Sequence, residues 1–340
     1  MKIAIHDIVG SFSDGWNKAC RELGIEVVHV NIYDVDAITR IRQCDAFMWD
    51  WRVNLDKNWL FARQLIIALE AAGVVVFPNV STCWHYDDKV GEKYLFETLD
   101  IPAVPAWIFY NKEQALAWAK DAKFPKVFKL RGGAGSVNVR LAKDYKEARK
   151  FIKKMFGRGY SQATGFADFS TKFRKHKKKG DLWRTLVHTL PHVVARIFSR
   201  KDFPNERGYV YFQDFIPNNT YDIRVVVTGS KAIALRRNCR PGDFRASGSG
   251  EIIYDRELIP KECIRLAFDA ARRMKAQSGA YDFVCDRDGK YYIVEVSYGY
   301  SPRAYDLCEG YWTDDLCWHN GSVSFEKWQV EDVVNIVNAK

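Results

Sequence analysis

The stretch from Tyr281 to Ser297 reads YDFVCDRDGKYYIVEVS, and its pairing decides how the rest of the chain is read. Asp288-Gly289 is a dipeptide favoured in two-residue hairpin turns, and the runs on either side are rich in β-branched and aromatic residues. With those two residues as the loop, Arg287 faces Lys290 and Asp282 faces Glu295 across the strands. Ser297 lies two positions further along the same face. Carboxylates at cross-strand distance, about 5 Å, repel each other unless a cation or a shared proton lies between them. An unpaired charge in an otherwise apolar strand is also costly. Hard oxygen donors of this kind suit Mg2+, with Mn2+ as an alternative, completed by substrate phosphates. A solvent-facing polar row or an arginine-paired structural site would use the same residues.

Upstream, residues 124–139 read FPKVFKLRGGAGSVNV. A strand over Val127–Leu130 delivers Lys129 to a loop containing Gly132, Gly133 and Gly135. Glycines let backbone N–H groups approach phosphate oxygens, and the lysine adds a point charge. No Gly-Lys-Ser/Thr follows, so this is not a Walker A loop, and a plain β-turn explains the glycines equally well. Between the two stretches come strand-like runs at Tyr209–Phe215, Tyr221–Thr228 and Lys231–Arg237, then a helical pattern over Pro260–Ala276. Arg224, Arg236, Arg237, Arg240 and Arg245 form a basic row around RPGDFRASGSG. Converging arginines suit an anionic substrate or a phosphoryl intermediate; a solvated edge strand is the alternative.

The first 80 residues follow a different rhythm. Lys2–Ile5, Ile25–Val30, Ala46–Trp49 and Val74–Phe77 read as buried strands, with helical spacing over Ser13–Leu23 and Asn58–Ala72. Gly24 and Gly73 stand just after those helices, where a left-handed residue ends a helix. This alternation predicts a small parallel sheet, with a change of subdomain near residue 86. The first strand leads into HDIVGSF rather than G-x-G-x-x-G, which speaks against a dinucleotide-binding domain.

The net charge is +10, yet residues 157–207 alone carry twelve Lys/Arg and four Asp/Glu, a net of +8. A basic balance confined to one segment, without an RRM, KH or zinc-finger pattern, does not indicate nucleic acid. Eight cysteines without a C-x-x-C pair read as reduced thiols, and the N-terminus has no apolar signal region, so a cytoplasmic protein is expected.

HYDDK (85–89), the glycine stretch, YFQDFIPNNTYDIRVVV (211–227), RPGDFRASGSG (240–250) and YDFVCDRDGKYYIVEVSYGYSP (281–302) occur in an order that resembles the ATP-grasp superfamily. The flavour is that of the glutathione synthetase and amino-acid ligase group. The resemblance implies an α/β and α+β architecture, with a parallel pre-ATP-grasp domain at 1–86 and a connecting helical segment at 87–122. A lid subdomain follows at 123–215, carrying the basic insertion 157–207, and a core subdomain with an aromatic tail at 216–340. The tail is expected to pack rather than to function; it resembles members associated with bacterial surface-polysaccharide gene sets.

Carried over residue by residue, the resemblance places Lys89 and Lys129 on the ATP phosphates. Gly132, Gly133, Gly135 and Ser136 fall in the phosphate flap. Gln213, Asp214, Phe215 and Ile216 form the adenine hinge, with Asp214 where glutamate is usual. Asp282 and Glu295 become Mg2+ ligands, with Ser297 where asparagine is usual. Arg245 is placed on the acyl-phosphate, and Arg224 is the second catalytic candidate. The implied reaction is ATP-dependent amide formation from a small-molecule carboxylate and an amine through an acyl-phosphate. The alternatives are a non-catalytic nucleotide-binding module, a phosphotransferase and a carboxylate–thiol ligase. For residues 157–207 the expectation is a large anionic substrate or a carrier at the inner membrane face, with a solvated loop or a homodimer contact as alternatives.

Overall fold

In a computed structural model, the strands β1 (Lys2–Ile5), β2 (Glu26–His29), β3 (Ala46–Met48) and β4 (Val75–Phe77) form a parallel sheet in the order β2-β1-β3-β4. The structure describes residues 1–52, 56–132, 138–161, 205–246 and 251–340. Helices α1 (Phe12–Glu22), α2 (Ala37–Ile41) and α3 (Asp56–Ala71) connect the strands, and α4 (Val80–Cys83) and α5 (Lys89–Thr98) follow. Ser11 caps α1 by accepting from the Ser13 N–H, and Gly73 beyond α3 takes φ +80°, a conformation that side chains rarely adopt. Beyond exposed Lys2, the inner strands β1 and β3 and strand β4 are apolar on both faces, as a covered parallel sheet requires, whereas edge strand β2 keeps Glu26 and His29 exposed. Ile3, Ile5, Met48 and Phe77 meet Phe12 and Trp16 of α1, whereas Ala4, Phe47 and Val76 meet Ile41 of α2 and Ala62, Ile66 and Leu69 of α3.

The described chain divides into two compact units. Asp88–Val90 and Pro105–Phe215 form one, and Met1–Asp87, Gly91–Val104 and Ile216–Lys340 form the other. The first of these contains β5 (Ala106–Phe109), α6 (Lys112–Asp121), β6 (Lys126–Lys129), β7 (Arg140–Ala142), α7 (Tyr145–Met155) and β8 (Val210–Asp214). Its strands make an antiparallel sheet in the order β5-β8-β6-β7. Phe128 and Phe212 from the sheet pack with Ala115 and Ala119 of α6 and Ala148, Ile152 and Met155 of α7.

The larger unit adds β9 (Tyr221–Thr228), β10 (Lys231–Asn238), β11 (Ile252–Ile253), α8 (Lys261–Met274), β12 (Ser278–Cys285), β13 (Tyr291–Ser297), β14 (Gly310–Thr313), β15 (Trp318–Asn320) and α9 (Phe325–Asn338). The strands pair in the order β13-β12-β9-β10-β14-β15, with β11 on β10. One face, including Ile223, Val225 and Tyr281, is covered by α8 through Ile264, Ala267 and Phe268. The other, including Val226, Ile233 and Ala280, shares a core with Phe325, Trp328 and Val333 of α9 and with the N-terminal sheet. Polar groups inside that core are connected. Trp16 Nε1 donates to Gln329 Oε1 at 2.7 Å, Gln329 Nε2 to Tyr300 Oη at 3.2 Å, and Tyr300 Oη lies 2.9 Å from Ser278 Oγ. The aromatic tail does pack: Tyr305, Trp312, Phe325 and Trp328 are buried. No helix among the described residues is long and apolar enough to cross a membrane.

Burial pushes the Asp332 carboxyl on α9 up from 3.8 to about 6. A folded-state value above the unfolded one means that ionisation opposes folding, so this loss grows as pH rises from 4 to 6 and persists above. Asp332→Asn should therefore stabilise the protein by about 1–2 kcal/mol at pH 7.5 and by nothing measurable at pH 4, in urea titrations at the two pH values.

Candidate functional site

The β12–β13 hairpin corrects the expected loop and keeps the expected pair. The turn has three residues, Arg287–Gly289, because the Asp286 N–H donates to the Lys290 carbonyl at 2.9 Å. Asp286 Oδ1 accepts from the Asp288 and Lys290 N–H groups, both at 2.9 Å, and Gly289 takes φ +79°. An aspartate that closes its own turn in this way competes with the two-residue alternative. The longer loop shifts the register by one, so Cys285 faces Tyr291 and Phe283 faces Ile293. A bulge between Phe283 and Asp282 then shifts it back, and Asp282 faces Glu295.

Asp282 is 5% exposed and held by arginines from β9, its neighbour, and from β10, one strand further on. Arg224, its register partner on β9, donates through Nε to Oδ1 at 2.6 Å and through Nη2 to Oδ2 at 2.7 Å. Arg237 on β10 donates to Oδ2 at 2.7 Å. Arg237 is itself gripped by its own register partner Asp222, with Nε to Oδ1 at 2.7 Å and a second bond from Nη2 to Oδ2. Burial would raise the Asp282 pKa, but the two guanidinium groups outweigh it and hold the carboxyl below its usual range. For Asp222, burial and the neighbouring Asp282 charge prevail over Arg237 and raise it.

Glu295 is half-buried, and among the described residues its carboxylate enters no ion pair or side-chain hydrogen bond. Ser297 Oγ accepts from the Gly299 N–H at 3.2 Å. No group of three or more His, Cys, Asp or Glu side chains able to hold a metal ion assembles among the described residues. Two facing carboxylates, one without another partner, plus a hydroxyl do fit Mg2+ that arrives with phosphates and keeps part of its water. Arg245 stands apart from this cluster, paired with Asp243 through Nε at 2.9 Å and Nη2 at 2.8 Å.

In the smaller unit Lys89 and Lys129 are both buried, and the Lys89 N–H donates to the Arg131 carbonyl at 2.9 Å. The N–H groups at the base of the glycine loop are engaged by the protein itself: Arg131 and Gly132 donate to the Glu206 carboxylate at 3.0 and 3.1 Å. Tyr209 also donates to that carboxylate. Gly133, Gly135 and Ser136 lie outside the described residues, as does 162–204 of the basic segment. Gln213 is buried on β8. Asp214, expected near the ribose, forms an ion pair with Lys126, whose ammonium also sits 4.1 Å over the Trp107 ring. Phe215 ends the smaller unit, and Ile216 resumes the larger.

Asp222, Glu206 and Lys126 were not among the sequence candidates. Gly229-Ser230 between the runs of β9 and β10 is a two-residue turn signal that places Asp222 opposite Arg237, so that pair was available from the sequence. For Glu206 and Lys126 no comparable local signal exists.

Residues 205–303 match the model of the RimK-like ATP-grasp domain. The fold is similar over almost the whole chain to a RimK domain ATP-grasp protein from Sphaerobacter thermophilus, at 15% identity and TM-score 0.55, covering 98% of this chain and all of that one. D-alanine–D-alanine ligase from Bacillus anthracis, in complex with ATP, gives 13% and 0.57, with 100% and 98% covered. N5-carboxyaminoimidazole ribonucleotide synthetase from Thermotoga maritima gives 12% and 0.60, with 98% and 76% covered. The sequence matches none of the curated proteins with which it was compared. The matched segment is an ATP-grasp domain segment, and the likenesses show an ATP-grasp fold over the described chain.

Removing one partner of a buried ion pair strands the other. Arg237→Met should cost about 3 kcal/mol in urea denaturation, and adding Asp222→Asn should return part of that loss, giving a coupling of at least about 1 kcal/mol.

Proposed function

We propose that this protein is an ATP-dependent ligase that joins a carboxylate to an amine as an amide through an acyl-phosphate. The observation that carries this reading is the pair Asp282–Glu295, facing each other across β12 and β13 on a sheet that also presents Arg224. Asp282 and Glu295 would hold Mg2+, with the Ser297 hydroxyl or water completing the set. When bound with ATP, Mg2+ neutralises charge on the β- and γ-phosphates. Lys89 and Lys129 hold the phosphates, and the loop beginning at Arg131 covers them and keeps water from the acyl-phosphate. The segment around Gln213–Ile216 receives adenine through its backbone. With Asp214 already paired to Lys126, the ribose contact falls to another group. Arg224 and Arg245 supply positive charge where negative charge develops on the phosphoryl and acyl oxygens.

The likeness of fold to a ligase solved with ATP, and to a biotin carboxylase domain solved with ADP and magnesium, supports nucleotide and metal. For the substrates we propose a sugar acid or an amino acid, with the +8 charge of residues 157–207 recruiting an anionic one.

Lys129→Ala should weaken MgATP binding at least about tenfold in calorimetry, since a buried phosphate contact is lost. Glu295→Ala should abolish ADP release while leaving the thermal melt near wild type. Unchanged ATP affinity in the first variant, or near-normal turnover in the second, would refute the assignment. Mass spectrometry of products from ATP with mixed sugar acids and amino acids would identify the pair joined. Replacing Lys175, Lys177, Lys178 and Lys179 with serine should raise KM for an anionic substrate, more at low salt than at high, with ATP affinity unchanged.

A further inference from the structure

The four charges of Asp222, Asp282, Arg224 and Arg237 cancel, and Glu295 adds one negative charge beside them. A divalent ion seated between Asp282 and Glu295 would leave a net positive cluster, with the Arg224 Nε already 2.6 Å from Asp282 Oδ1. Like charges at such distances in a buried site repel strongly. Something has to give way, and the two arginines differ in how free they are to do so. Arg237 bridges Asp222 and Asp282, and its departure would strand Asp222. Arg224 has Asp282 as its single carboxylate partner among the described residues, and its side chain is 21% exposed against 9% for Arg237. Asp282 Oδ1 is held by Arg224 alone, whereas Oδ2 is held by both.

We infer that Arg224 is an exchangeable partner of Asp282. It neutralises the carboxylate while no metal–nucleotide is bound, then yields Oδ1 to the metal, and its freed guanidinium takes the anionic group of the acyl substrate. Arg237, fixed by Asp222, keeps Asp282 aimed throughout the exchange. This deepens the ligase reading and rests on it. The free metal is resisted, the metal with polyphosphate is accepted, and the carboxylate substrate binds after the nucleotide.

The test is a titration of the full-length protein with Mn2+ alone, following the free-ion electron paramagnetic resonance signal. Arg224→Met should bind Mn2+ at least about tenfold more tightly than wild type, the gain expected when one adjacent cation is removed. Asp282→Asn in the same background should abolish the gain, and Arg224→Lys, which keeps a cation, should not show it. Equal or weaker Mn2+ binding by Arg224→Met overturns the inference, as does a gain that survives Asp282→Asn. Should Arg224→Met fail to fold by circular dichroism, Arg224→Gln takes its place with the same expectation. Calorimetry of MgADP with the wild type separates the two levels. Absence of nucleotide binding there would refute the ligase reading, whereas the Mn2+ comparison refutes only the exchange.

Discussion

A carboxylate buried in a sheet must be answered by positive charge, and Asp282 is answered twice, from β9 and from β10. Its partners come from two different strands, so the strand order β12-β9-β10 and the register of both pairings are tied to one side chain. A slip of one residue would turn Arg224 to the opposite face and leave Asp282 without its Oδ1 partner. Such a cluster is poor support for raw stability, because apolar residues of similar volume often do as well. What it offers is a defined place for charge on an otherwise apolar surface.

The smaller unit handles charge in a related way. Lys126 is neutralised by Asp214 and seated over Trp107, and Glu206 collects two backbone N–H groups and a tyrosine hydroxyl. The Lys126–Asp214 ion pair and the bonds from Arg131 and Gly132 to Glu206 join residues far apart along the chain, so each also closes a loop.

Much of this was legible in the sequence. The four N-terminal strands and their two principal helices follow from periodicity, and Gly24 and Gly73 take the positive φ their positions implied. The Asp282–Glu295 pair was also found, although through two one-residue differences that cancel. Asp286 recruits two backbone N–H groups and lengthens the turn, and Val294 bulges to restore the register. Neither is visible in hydrophobic patterning, since a bulge is a response to packing and turn length is decided by side-chain hydrogen bonds. Strand β5 was missed, and helix α6 fell inside the expected helical segment 87–122 without bounds of its own. Lys126 and Glu206 were out of reach because their roles depend on partners brought near only by the tertiary fold.

The core shared by the N-terminal sheet and α9 has a bearing on how such proteins are assembled over evolutionary time. Trp16 reaches Gln329, and through it Tyr300, which stands three residues beyond Ser297. The first and last segments of the chain are therefore halves of one packing unit, closed around the strands that carry the acidic pair. Exchanging the N-terminal layer alone, as a cassette to bring in a new specificity, would expose the apolar faces of Trp328 and Val333. Recombination that preserves folding would have to move both ends together, so diversification in this lineage is expected to proceed by substitution within loops rather than by wholesale replacement of the first layer.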